Sequence, residues 1–333
     1  MAYRRYLVKR VLQFLLVIFI GVNITFLIIH MTPIDPVEQT IAAATSFGAT
    51  SPEAIEMMRA SLRELYGTEG TLLDKYVSYW SRVLVGDFGP SLSAFPTPVM
   101  DLIARALPWT IGLLTISTII MWVAGNFMGG LAGYYRNNPL LKATGVIAMA
   151  LHPIPYYVIA FLLLILFGFV WPILPISGGA GMNVQPGFTP SFIVSVIVHS
   201  ILPALSLILV GIGSWFMGMR ALTSNIVNED YVIYAEVGGV KPRKRLFSYV
   251  MRNALAPQVT GLAMSLGAIF NGAIITEEVF GYPGIGSLLV DAVHAGDYSL
   301  VLGITTLSIV AVAFAVLIVD LIYPLIDPRV QVS

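Results

Sequence analysis

The sequence predicts an all-α integral membrane protein, with six transmembrane helices and a helical extracytoplasmic insertion between spans one and two. Three observations lead there. Hydrophobic residues make up 57% of the 333 and charged ones 11%, with a mean hydropathy of +0.85, more apolar surface than one water-exposed fold can bury. Six stretches reach the roughly 20 apolar residues that a helix needs to cross a bilayer core. They lie at about residues 7–31, 107–134, 140–169, 192–219, 255–276 and 300–322. The polar stretch between the first two is too long for a simple connection. The chain thus divides into residues 1–31, the N-terminus and first span; 32–106, the insertion; and 107–333, a five-helix core with a cytoplasmic loop at 220–257.

The first span is expected to be a retained helix. Its apolar run exceeds that of a signal peptide, and no small-x-small cleavage site follows. Basic residues set the orientation, because cytoplasmic flanks collect Lys and Arg. Arg4, Arg5, Lys9, Arg10, Arg136, Lys142, Arg220, Lys241, Arg243, Lys244, Arg245, Arg252 and Arg329 all fall in segments assigned inside, 13 of the 18 basic residues. Both termini are therefore expected in the cytoplasm.

In the insertion, Ser51, Pro52 and Glu53 read as N-cap, N1 and N2 of a helix closing at Gly67, with Ile55, Met58, Leu62 and Leu65 on one face. A second helix is expected over about residues 72–85, with Leu73, Tyr76, Val77, Trp80 and Leu84 as its inward stripe and Gly86 as its stop. The two helices either pack on the outer ends of the spans or also dock a soluble partner. In the second span Gly125, Gly129 and Gly133 recur every four residues, which predicts a close helix contact.

The composition excludes several functions. Without cysteine there is no disulfide framework, thiolate metal site or cysteine nucleophile, and zero net charge gives no general attraction to nucleic acid. No phosphate loop, zinc helix or serine elbow occurs, so the chain is expected not to be an enzyme. Glu277 and Glu278 are adjacent, a poor acid–base pair, and are expected at a solvated outer end of the fifth span. The interiors of spans two to five hold no Asp, Glu, Lys or Arg, which weighs against an ion path. Asp320 sits near the cytoplasmic end of the last span. His30, His152 and His199 are expected as hydrogen-bonded structural residues, and Asn23, Thr115, Ser117, Asn126, Ser206 and Asn271 as candidates for a neutral polar passage.

The polar island at 228–257, between two apolar segments, carries the clearest functional signal. Residues 225–234 can form a short helix presenting Ile226, Val227, Tyr231 and Tyr234, and Gly238-Gly239 can end it with a left-handed residue. Such a helix has the form of a ligand for a groove. Pro242 then starts the next helix, whose first turn holds Arg243, Lys244 and Arg245. Cations there oppose the helix dipole and call for an anionic neighbour, either lipid headgroups or an acidic partner.

The pattern Asp230, Tyr231, Ala235, Gly239, Arg252, Asn253, Ala254 and Pro257 resembles the coupling loop of permease subunits of ATP-binding-cassette (ABC) importers, in the dipeptide, oligopeptide and nickel branch. Further matches are Pro33-x-Asp35-Pro36, Gly86-Asp87-Phe88-Gly89, Gly281-Tyr282-Pro283-Gly284-Ile285-Gly286 and Asp297-Tyr298, while Ile34 and Gly238 depart from the usual Gly and basic residue. The resemblance implies a B-type permease subunit of the cell inner membrane that pairs with a paralogous permease, sits on two cassette ATPases and receives cargo from an extracytoplasmic substrate-binding protein. It further implies that Ile226, Val227, Asp230, Tyr231, Tyr234, Ala235, Gly238 and Gly239 couple to an ATPase, with ATP and Mg bound by the partners and no cofactor in this chain. Its cargo would be dipeptides, oligopeptides, nickel chelates or oligosaccharides, with a faint likeness to sugar-handling members over residues 89–112. The rival reading is an ion-coupled secondary transporter.

Overall fold

The computed structural model describes residues 2–31, 37–38, 41, 45, 51–66, 71–271 and 273–326. These form helices α1 (Ala2–Met31), α2 (Pro52–Tyr66), α3 (Leu72–Val85), α4 (Val99–Tyr134), α5 (Pro139–Leu151), α6 (Tyr156–Leu164), α7 (Pro190–Ile226), α8 (Asp230–Val237), α9 (Pro242–Lys244), α10 (Arg252–Gly267), α11 (Ile274–Val279), α12 (Ile285–His294) and α13 (Tyr298–Ile326). One π-helical turn, Ile165–Val170, extends α6, and another, Arg245–Met251, joins α9 to α10. No strand occurs among the described residues. The Pro33–Pro36 turn with Ile34, the stop at Gly67, Arg329, and the side chains of His30, Leu62, Leu65 and Asn271 lie outside what is described.

Among the described residues four helices are long and apolar enough to cross a membrane: Arg5–Ile28, Val99–Tyr134, Pro190–Ile226 and Tyr298–Leu321. A fifth span is possible if the bent pair Pro139–Leu151 and Tyr156–Val170 counts as one. The expected straight span over 140–169 is thus broken, its halves meeting at 100°. Pro153 and Pro155 cause the break, since each removes an N–H donor and the ring disfavours helix in the residue before it. The expected span over 255–276 is shifted toward the N-terminus: a continuous helical run starts at Pro242, passes through the π turn Arg245–Met251 into α10 and ends in a 3-10 turn, Ala268–Asn271.

The glycine stripe builds the main helix contact. A Cβ on Gly125, Gly129 or Gly133 would come within 3 Å of Trp215 and of the backbone of Phe216 and Arg220 respectively, all on α7. Only hydrogens fit between α4 and α7 here, and dispersion across this close seam is what holds helices together where lipid supplies no hydrophobic drive. The first and last long helices pair through Phe14 and Phe314, whose rings are 6.5 Å apart, and through the ion pair Arg10–Asp320 at 3.2 Å.

In the insertion, Ser51 caps α2, with Ala54 N donating to its Oγ at 3.3 Å, and Ile55 and Met58 pack on Val37 and Ile41. Thr71 and Asp74 form a capping box on α3, and Gly86 closes that helix in the left-handed region at φ 72°. The inward face of α3 differs from expectation. Tyr76, Tyr79, Trp80 and Val83 pack against Val22 and Phe26 of α1, whereas Leu73, Val77 and Leu84 are exposed.

Candidate functional site

The island folds as a helix between two turns, with its start displaced from the sequence expectation. Helix α7 runs on to Ile226, residues 227–229 turn, and α8 begins at Asp230. Ile226 is therefore not presented outward but packs on a cluster of Met219, Leu246, Met251 and Ala254. Val227 is the half-buried C-cap of α7. Both belong to the base of the island, because an unbroken α7 keeps burying one face until Asn228 Nδ2 turns back to the Ser224 carbonyl at 3.2 Å.

The far end of α8 matches expectation. Gly238 N donates to Tyr234 O at 2.8 Å, Gly239 N to Glu236 O at 3.0 Å and Val240 N to Ala235 O at 3.0 Å. With Gly239 at φ 76°, this is a Schellman closure. Nothing lies within 4 Å of a Cβ built on Gly239, so the demand for glycine comes from the backbone angle and not from crowding.

Three contacts tie α8 to the helical run that follows it. Val232 is buried. Asn253 Nδ2 donates to Tyr231 Oη at 2.9 Å, and Tyr231 Oη donates to Tyr249 O at 3.3 Å. Glu236 pairs with Arg245 at 2.6 Å. What remains outward is Asp230, Ile233, Tyr234, Glu236 and Val237, with Tyr234 and Val237 about four-fifths exposed at 77% and 82%. Ile233 and Val237 were missing from the sequence reading. Their i, i+4 spacing, beside Tyr234, is the signal that could have found them. The site is an apolar tip with acidic edges on a short helix anchored from behind; Arg243 and Lys244 are exposed beyond the next turn.

At the other end of the bundle two carboxylates are fully buried, against expectation for Glu277. Its Oε1 accepts from Thr110 Oγ1 at 2.7 Å, and its Oε2 from Gly286 N at 2.6 Å and Ser287 N at 3.3 Å. Thr110 Oγ1 in turn accepts from Ile285 N at 2.8 Å. Gly284 and Gly286 leave room for the carboxyl group, since a Cβ on either would overlap it. Glu278, its neighbour, is exposed. Asp297 caps α13 through Leu300 N at 3.0 Å and accepts from Ser91 Oγ, from Ser93 N at 3.0 Å and from Ser93 Oγ at 2.9 Å. Neither carboxylate has a cation partner among the described residues. Glu277 thus fastens α4, α11 and α12, Asp297 fastens residues 91–93 to the start of α13, and Phe88 of the 86–89 motif packs in one apolar cluster with Ile285, Ala292 and Leu300, so the two carboxylates and this cluster make up one clasp.

The described residues named for a neutral polar passage are mostly buried or bonded within the chain. Asn23 is engaged by Tyr76 Oη at 2.8 Å, and Ser206 is buried on Pro203 O at 2.7 Å. Ser117 Oγ and Asn126 Oδ1 are buried without a partner, and Thr115 is half-buried. His199 bonds Ser195 O at 2.8 Å as a structural residue, while His152 is exposed at the break between α5 and α6.

Comparison with known proteins gives the family. The family described as binding-protein-dependent transport system inner membrane component matches residues 125–332. A probable peptide ABC transporter permease of Sinorhizobium fredii, y4tP, is 31% identical, over 98% of this chain and 99% of its own length. The oligopeptide transport system permease AppB of Bacillus subtilis is 28% identical, with 98% and 99% covered. The glutathione transport system permease GsiC of Escherichia coli K12 is 28% identical, with 98% of each chain covered. The chain belongs to the binding-protein-dependent inner membrane components, as an ABC importer permease of the dipeptide and oligopeptide family.

Proposed function

We propose that this chain forms half of the translocation pathway of a peptide importer and that α8 is its grip on a cassette ATPase. The observation that carries this is the apolar tip Ile233, Tyr234 and Val237, exposed on a helix whose other face is pinned. Exposed aromatic anchors on a short helix fit a groove in a partner. The relatives are peptide, oligopeptide and glutathione permeases by name, which supports a peptide cargo over an oligosaccharide.

The topology we propose has six spans: α1, α4, the bent α5–α6 pair, α7, the run from Pro242 to Gly267 and α13. Both termini and α8 then face the cytoplasm, and the insertion and the buried-carboxylate clasp face outward. A paralogous permease completes the pathway, two ATPases bind ATP and Mg, and an extracytoplasmic binding protein supplies selectivity. Nucleotide binding closes the ATPases and moves α8, and the Glu236–Arg245 pair and the Tyr231–Asn253 bond pass that displacement to α10. Shifting a two-state equilibrium almost completely takes about 5.5 kcal/mol of differential binding.

Cysteine at Tyr234 or Val237 should cross-link to the ATPase in the purified complex, with a yield that changes on adding nucleotide. Reconstituted complex should take up a peptide in an ATP-dependent way. Uptake by this chain alone on an ion gradient would instead establish the secondary-transporter reading, and ATP-driven uptake of an oligosaccharide but no peptide would overturn the cargo.

A further inference from the structure

We infer that α3 is an in-plane membrane helix, seated in the leaflet at the C-terminal end of α1 with its outer apolar face against lipid. Its depth, its three-sided sequence and its neighbours all point to lipid as the occupant.

Depth follows from its contacts. Tyr76 Oη donates to Asn23 at 2.8 Å, the Tyr76 and Tyr79 rings lie 5.3 and 5.4 Å from Phe26, and Trp80 stacks on Phe19 at 5.8 Å. On α13 the partner is Thr306, 3.0 Å from Tyr79 Oη. Helix α3 thus crosses α1 near Asn23. The apolar span of α1 ends at Ile28, so the crossing lies about 7 Å inside that end along the axis. Helices that lie in a membrane interface bury their apolar face by about 5–10 Å.

The sequence of α3 carries three faces rather than two. Tyr76, Tyr79, Trp80 and Val83 face α1 and α13. Asp74, Ser78 and Ser81, at spacings of four and three, form a polar face. Leu73, Val77 and Leu84, at spacings of four and seven, form a third face and are 69%, 58% and 80% exposed among the described residues. A water-facing helix would gain nothing from such a stripe. Over the same level α1 leaves Phe19, Ile20, Ile24 and Leu27 about half exposed, the flank that an apolar span turns to lipid. The same placement explains why the Tyr76 and Tyr79 hydroxyls are bonded to Asn23 and Thr306: hydroxyls at that depth must find partners in the protein, whereas leucines need none.

The chain has no cysteine, so single-Cys variants of the full chain, assembled in its complex in phosphatidylcholine vesicles, test the inference directly. A bimane label at Leu73→Cys or Val77→Cys should be quenched several-fold more by lipid carrying a nitroxide near the head of its acyl chain than by aqueous iodide, as at the lipid-facing reference Ile24→Cys. Ser81→Cys should show the reverse. Iodide quenching at Leu73 and Val77 equal to that at Ser81, or shielding of these labels on adding a substrate-binding protein, would overturn it in favour of a protein-docking surface. The readout needs neither transport nor a known orientation, so it stands or falls apart from the importer assignment.

Discussion

Replacing Glu277 by Ala should loosen the clasp by an amount that the structure allows to be worked out. The carboxylate accepts two short bonds, from Thr110 Oγ1 at 2.7 Å and Gly286 N at 2.6 Å, and a longer one from Ser287 N at 3.3 Å. A hydrogen bond to a charged group contributes about 1.5–3 kcal/mol, and a donor left buried without a partner costs about 1–3 kcal/mol. Part of the gain is offset in the native protein by desolvating a carboxylate that no cation neutralises. A net loss of about 3–5 kcal/mol follows if the two short bonds dominate. Glu277→Gln keeps the volume and one acceptor oxygen but turns an amide toward a donor, for a loss of about 1–3 kcal/mol. Thr110→Val removes the hydroxyl that both donates to Glu277 and accepts from Ile285 N, and it should cost less in the Glu277→Ala background than alone. Thermal unfolding of the purified complex, run as a double-mutant cycle, measures this coupling. Additivity within about 0.5 kcal/mol would refute it.

Gly239→Val should abolish ATP-driven uptake while the chain still reaches the membrane, because a side chain in the left-handed region costs about 1–2 kcal/mol and β-branching adds to it; undiminished transport would refute the strained closure. Gly129→Ile should prevent stable folding, since its Cβ alone would meet the Phe216 carbonyl, and normal yield of the variant after membrane extraction would show that α4 and α7 can part cheaply. A cysteine at Ser61 should react with an impermeant reagent from outside intact cells and one at Ser224 should not; the opposite labelling inverts the proposed topology.

Features that depend on one helix's own geometry were legible in the sequence. Ser51, Gly86 and Gly239 are caps whose chemistry is local, and the glycine stripe of α4 needs only a period of four. The break after α5 was visible as Pro153 and Pro155 but was absorbed into one long apolar run, because hydropathy averages over a kink. The inner face of α3 is not fixed by local hydropathy: the partners that draw its tyrosines inward, Asn23 and Thr306, lie 53 and 227 residues away, and Leu73, Val77 and Leu84 are left exposed. Glu277 could not be placed because its partners are 167 and nine residues away, and adjacency to Glu278 drew attention from the glycines that make room for it. At the island, Ile226 and Val227 were chosen over Ile233 and Val237 because nothing local marks where α7 stops.

The pairing of α1 with α13 sets a schedule for biosynthesis. Tyr6 bonds the backbone of Asp320 across 314 positions of sequence, so the first helix made has its principal neighbour in the last. At about 5–20 residues per second, a ribosome needs about 15–60 s to reach that neighbour. Until then α1 must persist in lipid without the Arg10–Asp320 ion pair, and α3, made before α13, can already pack on it through Phe19, Asn23 and Phe26. A chain released before α13 would leave α1 threaded but undocked, which is the state a membrane quality-control protease would recognise.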